Sequence, residues 1–226
     1  MGWTALQAGD GHTLQAWVAV PQGAPRGAVV VLQEIFGVNA HIRSLCERYA
    51  QQGWLAVAPA LFDRVLPGQE LAYDAAGIAQ AREVKANISD AQALLDVQAA
   101  IDHAAAQAGR HAPVTVMGFC WGGTLAWLSA ARLRGLSGAI AYYGTNIAGY
   151  LGEAPRVPVL LHFGALDAHI PQDHVDSIAA AWPAVALHRY PAGHGFNCDD
   201  RAAFDAPSAA LAAQRTQEFL ETTLPC

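Results

Sequence analysis

The sequence predicts an α/β fold in which helices cover both faces of a mostly parallel central sheet. Short apolar runs alternate with longer segments of helical periodicity along most of the chain. Strand–helix alternation of this kind is typical of parallel sheets, because a helix connects each strand to the next. The chain has 226 residues, and we expect a single domain over residues 1–226, since this length does not require two.

The first half of the chain contains three predicted strands, at residues 13–21, 27–33 and 54–59. The first is expected at a sheet edge, whereas the other two are continuous apolar runs of the kind buried on both faces. Helices are predicted over residues 41–53 and 89–109. Gly53 and Gly109 end them, and Ser89 is the expected N-cap of the second. Residues 60–88 contain Pro, Gly and mixed charge, and we expect them to lie over one end of the sheet.

The second half contains four more predicted strands, at residues 113–119, 138–144, 157–164 and 185–191. A helix is expected directly after Cys120, and the last helix is expected around residues 207–223. In sheets of this type, ligands bind beyond the carboxyl ends of the strands, in the loops that lead to the helices. The side chains that perform chemistry should therefore come directly after strands.

The composition of the chain argues against several classes of protein. It is 53% hydrophobic and 14% charged, with a net charge of −6, so it is neither disordered nor a charged coiled coil. The 13 Lys and Arg residues are scattered, which argues against binding to nucleic acid or to an anionic membrane. The first residues do not resemble a signal peptide and no apolar run is of bilayer length, so we expect a cytoplasmic protein.

Cysteine and histidine spacing indicates neither a disulfide framework nor a metal site. The chain contains four dispersed cysteines, Cys46, Cys120, Cys198 and Cys226, which we expect to be free thiols in a reducing compartment. Most of the nine histidines have no recognisable ligand spacing. We expect His162 to be a strand residue, and His169 and His174 to lie on the surface.

Three chemistry-bearing residues come directly after predicted strands. Cys120 follows the strand at 113–119, Asp167 follows the strand at 157–164, and His194 follows the strand at 185–191. Their chain order is nucleophile, acid and histidine, which is the order of the triad in α/β-hydrolases. The sequence therefore predicts a nucleophilic active site at the carboxyl edge of the sheet.

Cys120 lies in the stretch Gly-Phe-Cys-Trp-Gly, a version of the G-x-S-x-G nucleophile turn with Cys in place of Ser. Glycines are needed on both sides because the nucleophile adopts a strained conformation in a tight turn. The turn places the sulfur at a helix N-terminus, which favours a thiolate and a developing oxyanion. We expect the backbone amides of Trp121 and Ile35 to form the oxyanion hole, and Glu34 to point into the same site.

Each of these residues also has an ordinary structural interpretation. Cys120 could be an inert core residue, Asp167 could cap a helix that begins near Pro171, and Glu34 could be a solvated loop residue. The glycine-flanked turn favours a functional Cys120, and the apolar neighbours of Glu34 favour a site residue. His194 lies between two glycines in a polar loop, where a structural role is less expected than a catalytic one.

With these residues in place, the sequence resembles the dienelactone hydrolase (carboxymethylenebutenolidase) family over nearly its whole length. The matching stretches are QEIFGVN (33–39), GFCWGG (118–123), AIAYYG (139–144), GALDAHIP (164–171) and YPAGHGF (190–196). The resemblance implies an α/β-hydrolase fold, no metal and no organic cofactor. It also implies hydrolysis of a small-molecule enol lactone or related ester.

Carried over by position, the resemblance makes Cys120 the nucleophile, His194 the base and Asp167 the residue that orients His194. Glu34 corresponds to the family glutamate that pairs with the cysteine or takes its proton when substrate binds. In the resting enzyme this arrangement would keep the thiol largely neutral and protected from oxidation.

The family also uses arginines to bind the carboxylate of its substrate. Arg82 is the nearest candidate for the first, and the second lies soon after the histidine in an HSFxR-like stretch. In this chain Gly195 replaces the serine, Cys198 occupies the expected arginine position, and Arg201 comes three residues later. Aromatic residues are expected to line the pocket, namely Phe36, Trp121, Tyr142, Tyr143 and Phe196.

The predicted reaction is acyl transfer to Cys120 followed by hydrolysis of the thioester. A general carboxylesterase or thioesterase on the same scaffold is an alternative, because the second arginine is displaced. A non-catalytic thiol that senses oxidants is another, although such a sensor needs neither Asp167 nor His194. The resemblance leaves a monomer and a homodimer both open.

Overall fold

In a computed structural model that describes residues 1–109 and 111–224, eight strands form one mixed sheet. The strands are β1 (Gly2–Gln7), β2 (Thr13–Ala19), β3 (Gly27–Leu32), β4 (Trp54–Pro59), β5 (Val114–Phe119), β6 (Gly138–Tyr142), β7 (Val159–Gly164) and β8 (Ala186–Tyr190). Their spatial order is β1-β2-β4-β3-β5-β6-β7-β8. β2 pairs antiparallel with both of its neighbours, β1 and β4. All the other pairs, which join β4, β3, β5, β6, β7 and β8 in that order, are parallel.

Six helices connect or follow the strands in the described chain. They are α1 (Ala40–Gln51), α2 (Ala75–Ala86), α3 (Asp90–Ala108), α4 (Trp121–Arg132), α5 (Gln172–Ala181) and α6 (Ala206–Thr222). Ser89 caps α3 in a reciprocal arrangement with Gln92, as its sequence predicts. Within these residues, every helix is too short or too polar to cross a bilayer.

The apolar runs of the sequence become the centre of the sheet. Every residue of β3, β4, β5 and β7 is buried, because helices pack against the sheet on both sides. α3 packs on β3 and β4, and α4 packs on β5 and β6. The predicted α/β-hydrolase fold is therefore confirmed, with the carboxyl ends of the parallel strands meeting at one edge.

Three expectations need correction. The strand predicted at 13–21 is not an edge strand, because β1 pairs along its outer side. The segment 60–88 contains a regular helix, α2, that was not predicted. Pro171, expected at the first turn of a helix, is the N-cap of α5.

Cys46, Cys120 and Cys198 are free thiols, as predicted, whereas Cys226 lies outside the described residues.

Candidate active site

Cys120 lies at the apex of the turn between β5 and α4, in a conformation that side chains rarely adopt. Its φ angle is +56°, in the left-handed region. A Cβ on Gly118 would collide with the carbonyl oxygen of Gly122, and a Cβ on Gly122 would lie 2.5 Å from the carbonyl oxygen of Gln33. Both glycines are therefore required by close backbone approach. The Cys120 amide also donates to the Tyr142 carbonyl at 3.0 Å, which fixes the turn to β6.

Asp167 and His194 come together from the loops after β7 and β8. Oδ2 of Asp167 accepts a hydrogen bond from Nδ1 of His194 at 2.7 Å. Its other oxygen, Oδ1, accepts from the backbone amide of His169 at 2.8 Å. Asp167 is buried, and both of its oxygens have a partner. This arrangement fixes the ring of His194, leaving Nε2 as the nitrogen available to a neighbour.

The site shifts the pKa of His194 strongly. Burial alone would lower it, but the hydrogen bond to Asp167, the nearby sulfur of Cys120 and the negative charges of both groups raise the pKa of His194 to about 10. Cys120 and His194 line the same cavity. Burial would raise the pKa of Asp167, but the hydrogen bond and charge of His194 lower it instead. An imidazolium between an acid and a sulfur is the state that these shifts favour.

Glu34 is bound by Arg201, the arginine that comes three residues later in the sequence than the family pattern has it. Its carboxylate is 2% exposed, and Oε1 accepts a hydrogen bond from Nη1 of Arg201 at 3.0 Å. Among residues 1–109 and 111–224, the buried Oε2 has no hydrogen-bond partner. The guanidinium also lies over the rings of Phe36 and Tyr73, 5.8 and 5.7 Å from their centroids.

The two departures from the family pattern prove to be linked. Gly195 has a φ of +80°, and a Cβ added there would collide with the guanidinium of Arg201. Glycine in place of serine therefore makes room for an arginine that reaches back from further along the loop. Both Arg201 and Arg82 line the cavity above Cys120, as the sequence predicted for substrate-binding residues.

The cavity has a volume of about 380 Å³ and a cationic wall. Besides Arg82 and Arg201, Lys85 lines it, and Nζ of Lys85 is 4.0 Å from the carboxylate of Asp90. The remaining lining residues are Ile35, Phe36, Ile78, Asp90, Cys120, Trp121, Thr124, Thr145, Asn146, His169 and His194. Asp90 accepts from Nε1 of Trp121 at 3.1 Å, which fixes the indole next to Cys120.

Three aromatic residues that we expected in the pocket do not line it. Tyr142, Tyr143 and Phe196 are buried and are not among the lining residues. The rings of Tyr143 and Phe196 pack edge to face, with centroids 5.5 Å apart, and Tyr143 lies 5.0 Å from the ring of His194. Tyr143 therefore supports the histidine from within the core. His162 is a buried strand residue, as predicted.

Sequence reasoning missed three ionisable residues of the cavity. His169 is exposed, as predicted, but its ring lies 5.0 Å from that of His194 at the cavity wall. Lys85 lies at the end of α2, a helix that was not predicted, and Asp90 lies at the start of the predicted helix α3. The only signal in the sequence was the proximity of Lys85 to Arg82, one helical turn away.

The fold and the tight cysteine turn together define an α/β-hydrolase. The model of the dienelactone hydrolase family matches residues 14–224, and the chain belongs to this family. It is 35% identical over 232 residues to the carboxymethylenebutenolidases of Pseudomonas putida and Pseudomonas knackmussii, covering 96% of this chain and 94% of each relative. A Klebsiella pneumoniae crystal structure, provisionally named a dienelactone hydrolase, superposes with a TM-score of 0.85 at 33% identity, covering 98% and 99% of the two chains. The protein is thus a hydrolase acting on ester or lactone bonds.

Proposed function

We propose that the protein hydrolyses an enol lactone or a related ester that carries a carboxylate, through a thioester on Cys120. One observation carries the proposal. Cys120 lies in a strained turn at the wall of a cationic cavity, and His194 lines the same cavity with its Nδ1 bound to the buried carboxylate of Asp167. A strained nucleophile and an oriented base are what acyl transfer requires, and neither serves packing alone.

The cationic wall supports an anionic substrate. Arg82 has no carboxylate within 4.0 Å among the described residues, whereas Arg201 is bound to Glu34. A substrate carboxylate that binds both arginines would compete with Glu34 for Arg201. The carboxylate of Glu34 would then be released from the guanidinium. Glu34 can then accept the thiol proton of Cys120, which the family resemblance also implies. Substrate binding would thus favour the thiolate of Cys120, which is the form that attacks the carbonyl carbon.

In the acylation step, the thiolate of Cys120 attacks the carbonyl carbon and forms a carbon–sulfur bond. The carbonyl oxygen becomes an oxyanion, which the amides of Ile35 and Trp121 stabilise; loss of one such donor typically costs about 10²–10³-fold in rate. The ring oxygen then leaves as an enolate with its bonding electrons. An enolate is a good leaving group, which suits a thiol nucleophile. It takes up the proton of the His194 imidazolium, which leaves the imidazole neutral.

In the deacylation step, His194 takes a proton from water, and the hydroxide attacks the thioester. Acylation removes the negative charge of the thiolate, which is one of the causes that raise the pKa of His194. The pKa therefore falls in the intermediate, and the neutral imidazole becomes available as a base. Collapse of the second tetrahedral intermediate expels the thiolate of Cys120 and releases the acid.

The deciding experiment replaces the nucleophile. Cys120→Ala should lower kcat/KM for a carboxylate-bearing enol lactone by about 10⁴-fold or more. Cys46→Ala, which removes a buried cysteine of α1, is the matched control and should keep normal turnover. Quenched turnover of the unchanged chain should yield a protein mass increased by the acyl group, located on Cys120 by peptide mapping.

A folded Cys120→Ala protein that retains turnover would exclude the mechanism. A neutral ester with the same leaving group separates the remaining alternative. If the protein hydrolyses it as well as the anionic lactone, a general carboxylesterase is the better description. If peroxide oxidises Cys120 while no ester is turned over, the thiol is a sensor instead.

A further inference from the structure

A second cluster of chemistry-bearing side chains lies outside the walls of the active-site cavity. His41 is in the first turn of α1, and Cys198 and Asp199 are in the loop after His194. One ligand atom from each of the three lies within 4.8 Å of the others. The sequence indicated no such site, because His41 and Asp199 are 158 residues apart.

Hydrogen bonds fix the two backbone segments that carry these side chains. The side chain of Asn39 caps α1 by accepting from the amide of Ile42 at 3.2 Å, which sets the first turn where His41 lies. On the other side, the amide of Cys198 donates to the carbonyl of Gly195 at 3.0 Å. The amide of Arg201 donates in turn to the carbonyl of Cys198 at 3.1 Å. The cluster therefore joins α1 to the loop that carries Gly195 and Arg201.

Protein contacts leave the imidazole of His41 only partly satisfied. Its Nδ1 donates to Oδ1 of Asp199 at 3.0 Å, while Nε2 is buried without a partner among residues 1–109 and 111–224. His41 is 2% exposed, so water does not reach the ring freely. A buried histidine nitrogen without a partner is costly, and the ring that carries it belongs to the cluster formed with the thiol of Cys198 and the carboxylate of Asp199.

Cys198 is a buried free thiol with weak hydrogen-bond contacts. Its sulfur lies 3.4 Å from Oη of Tyr73 and also interacts with the backbone of Asp200. The charges of Glu34 and Asp200 act on the thiol from nearby, and the guanidinium of Arg201 opposes them. With Asp199, three carboxylates stand against one guanidinium, so the surroundings remain negative and attract a cation.

We propose that His41, Cys198 and Asp199 bind a divalent transition metal ion, with Zn²⁺ as the best match. Imidazole nitrogen, thiolate sulfur and carboxylate oxygen are the donors that Zn²⁺ prefers, at about 2.0–2.3 Å in a tetrahedral arrangement. Three protein ligands leave the fourth position to water. The thiol proton leaves to solvent as the sulfur coordinates the ion.

The surroundings provide both an entry path and the freedom needed to close the site. The side chain of Asp199 is 55% exposed and borders a separate cavity of about 280 Å³. It can therefore rotate to adjust the position of its carboxylate relative to the other two donors. A bound ion would tie the N-terminus of α1 to the loop that positions Arg201 against Glu34.

The first test uses Co²⁺, which reports thiolate coordination by a sulfur-to-metal charge-transfer absorbance. The background is Cys120→Ser with Cys226→Ser, so that Cys46 and Cys198 are the remaining thiols. Titration should produce the charge-transfer absorbance and saturate at one Co²⁺ per chain. Adding Cys198→Ser should remove the absorbance, and adding Cys46→Ser instead should leave it unchanged.

The second test measures Zn²⁺ affinity by calorimetry in the same background. His41→Ala and Asp199→Asn should each weaken binding by about 100-fold or more, since loss of an outer-sphere partner alone costs about 10–100-fold. Asp200→Asn, which alters the neighbouring carboxylate, is the matched control and should change the affinity much less. Circular dichroism of each variant shows whether the fold is retained.

Two results would overturn the proposal. One is the absence of stoichiometric Zn²⁺ or Co²⁺ binding to the folded background protein. The other is binding that persists equally in the Cys198→Ser and His41→Ala variants, which would place the ion elsewhere. If Cys198→Ser does not fold, His41→Ala and Asp199→Asn decide the matter by the same affinity measurement.

Discussion

Two buried carboxylates of the active site are bound in opposite ways. Asp167, in the loop after β7, has a partner for each oxygen, namely the ring of His194 and the amide of His169. Glu34, in the loop after β3, has Arg201 on one oxygen and no described partner on the other. Leaving a buried acceptor without a partner costs about 1–3 kcal/mol, so the two carboxylates differ in what they can still accept.

This difference assigns a different task to each side of the cavity. A fully bonded carboxylate is fixed, and its charge serves to orient His194 and to stabilise the imidazolium. A carboxylate with a free buried oxygen retains the capacity to accept a proton. The partners differ too, because the imidazole can lose its proton, whereas the guanidinium of Arg201 stays charged. In the proposed mechanism, Asp167 would therefore position His194, and Glu34 would accept the thiol proton when substrate binds.

The largest expected effect comes from removing the carboxylate of Asp167, which is hydrogen-bonded through both oxygens. Asp167→Asn should lower kcat/KM by about 10³–10⁴-fold, because the amide no longer holds the correct form of His194. The alkaline limb of the pH profile tests the same bond. Since kcat/KM reports the free enzyme, the unchanged protein should lose activity as pH rises through about 10, where the imidazolium of His194 deprotonates.

In Asp167→Asn this limb should move to lower pH, because one cause of the raised pKa is gone. Asp173→Asn, at an exposed position in the first turn of α5, is the control and should leave the limb in place. An alkaline limb that stays near its original pH in Asp167→Asn would contradict the role given to this carboxylate.

The second prediction concerns Glu34, the carboxylate with one unpartnered oxygen. Glu34→Gln keeps an amide oxygen for Nη1 of Arg201 but cannot take the thiol proton, so kcat should fall by about 100-fold with the fold intact. Alkylation of Cys120 by iodoacetamide without substrate should change much less than kcat. Glu70→Gln, at an exposed carboxylate, is the control. An unchanged kcat in Glu34→Gln would show that the proton leaves by another route.

The contrast between the two sides also marks what sequence could predict. Asp167 and His194 follow the neighbouring parallel strands β7 and β8 within a few residues, so the regular sheet alone brings them to one edge. The glycines around Cys120 encode the turn locally, since no Cβ fits there. These features depend on short stretches of chain and on strand order, which periodicity can reveal.

The remaining features depend on irregular backbone, which periodicity does not encode. Arg201 reaches Glu34 only because Gly195 adopts a positive φ in the loop between them. Lys85 enters the cavity because α2 forms, and the weak amphipathicity of this Ala-rich helix hid it in the sequence. The strand β1 was missed for a similar reason, since half of its residues face solvent at the sheet edge.

The smallest predicted effect sharpens the comparison at the cavity mouth, where Arg82 is exposed and has no carboxylate partner among the described residues. Arg82→Ala should raise KM for a carboxylate-bearing lactone by about fivefold, because an exposed charge contact contributes only about 1 kcal/mol. The kcat value and the turnover of a neutral ester should change little. Arg134→Ala, whose side chain is 83% exposed, is the control for loss of positive charge alone. An equal loss toward the neutral ester would mean that Arg82 shapes the cavity instead of binding the anion.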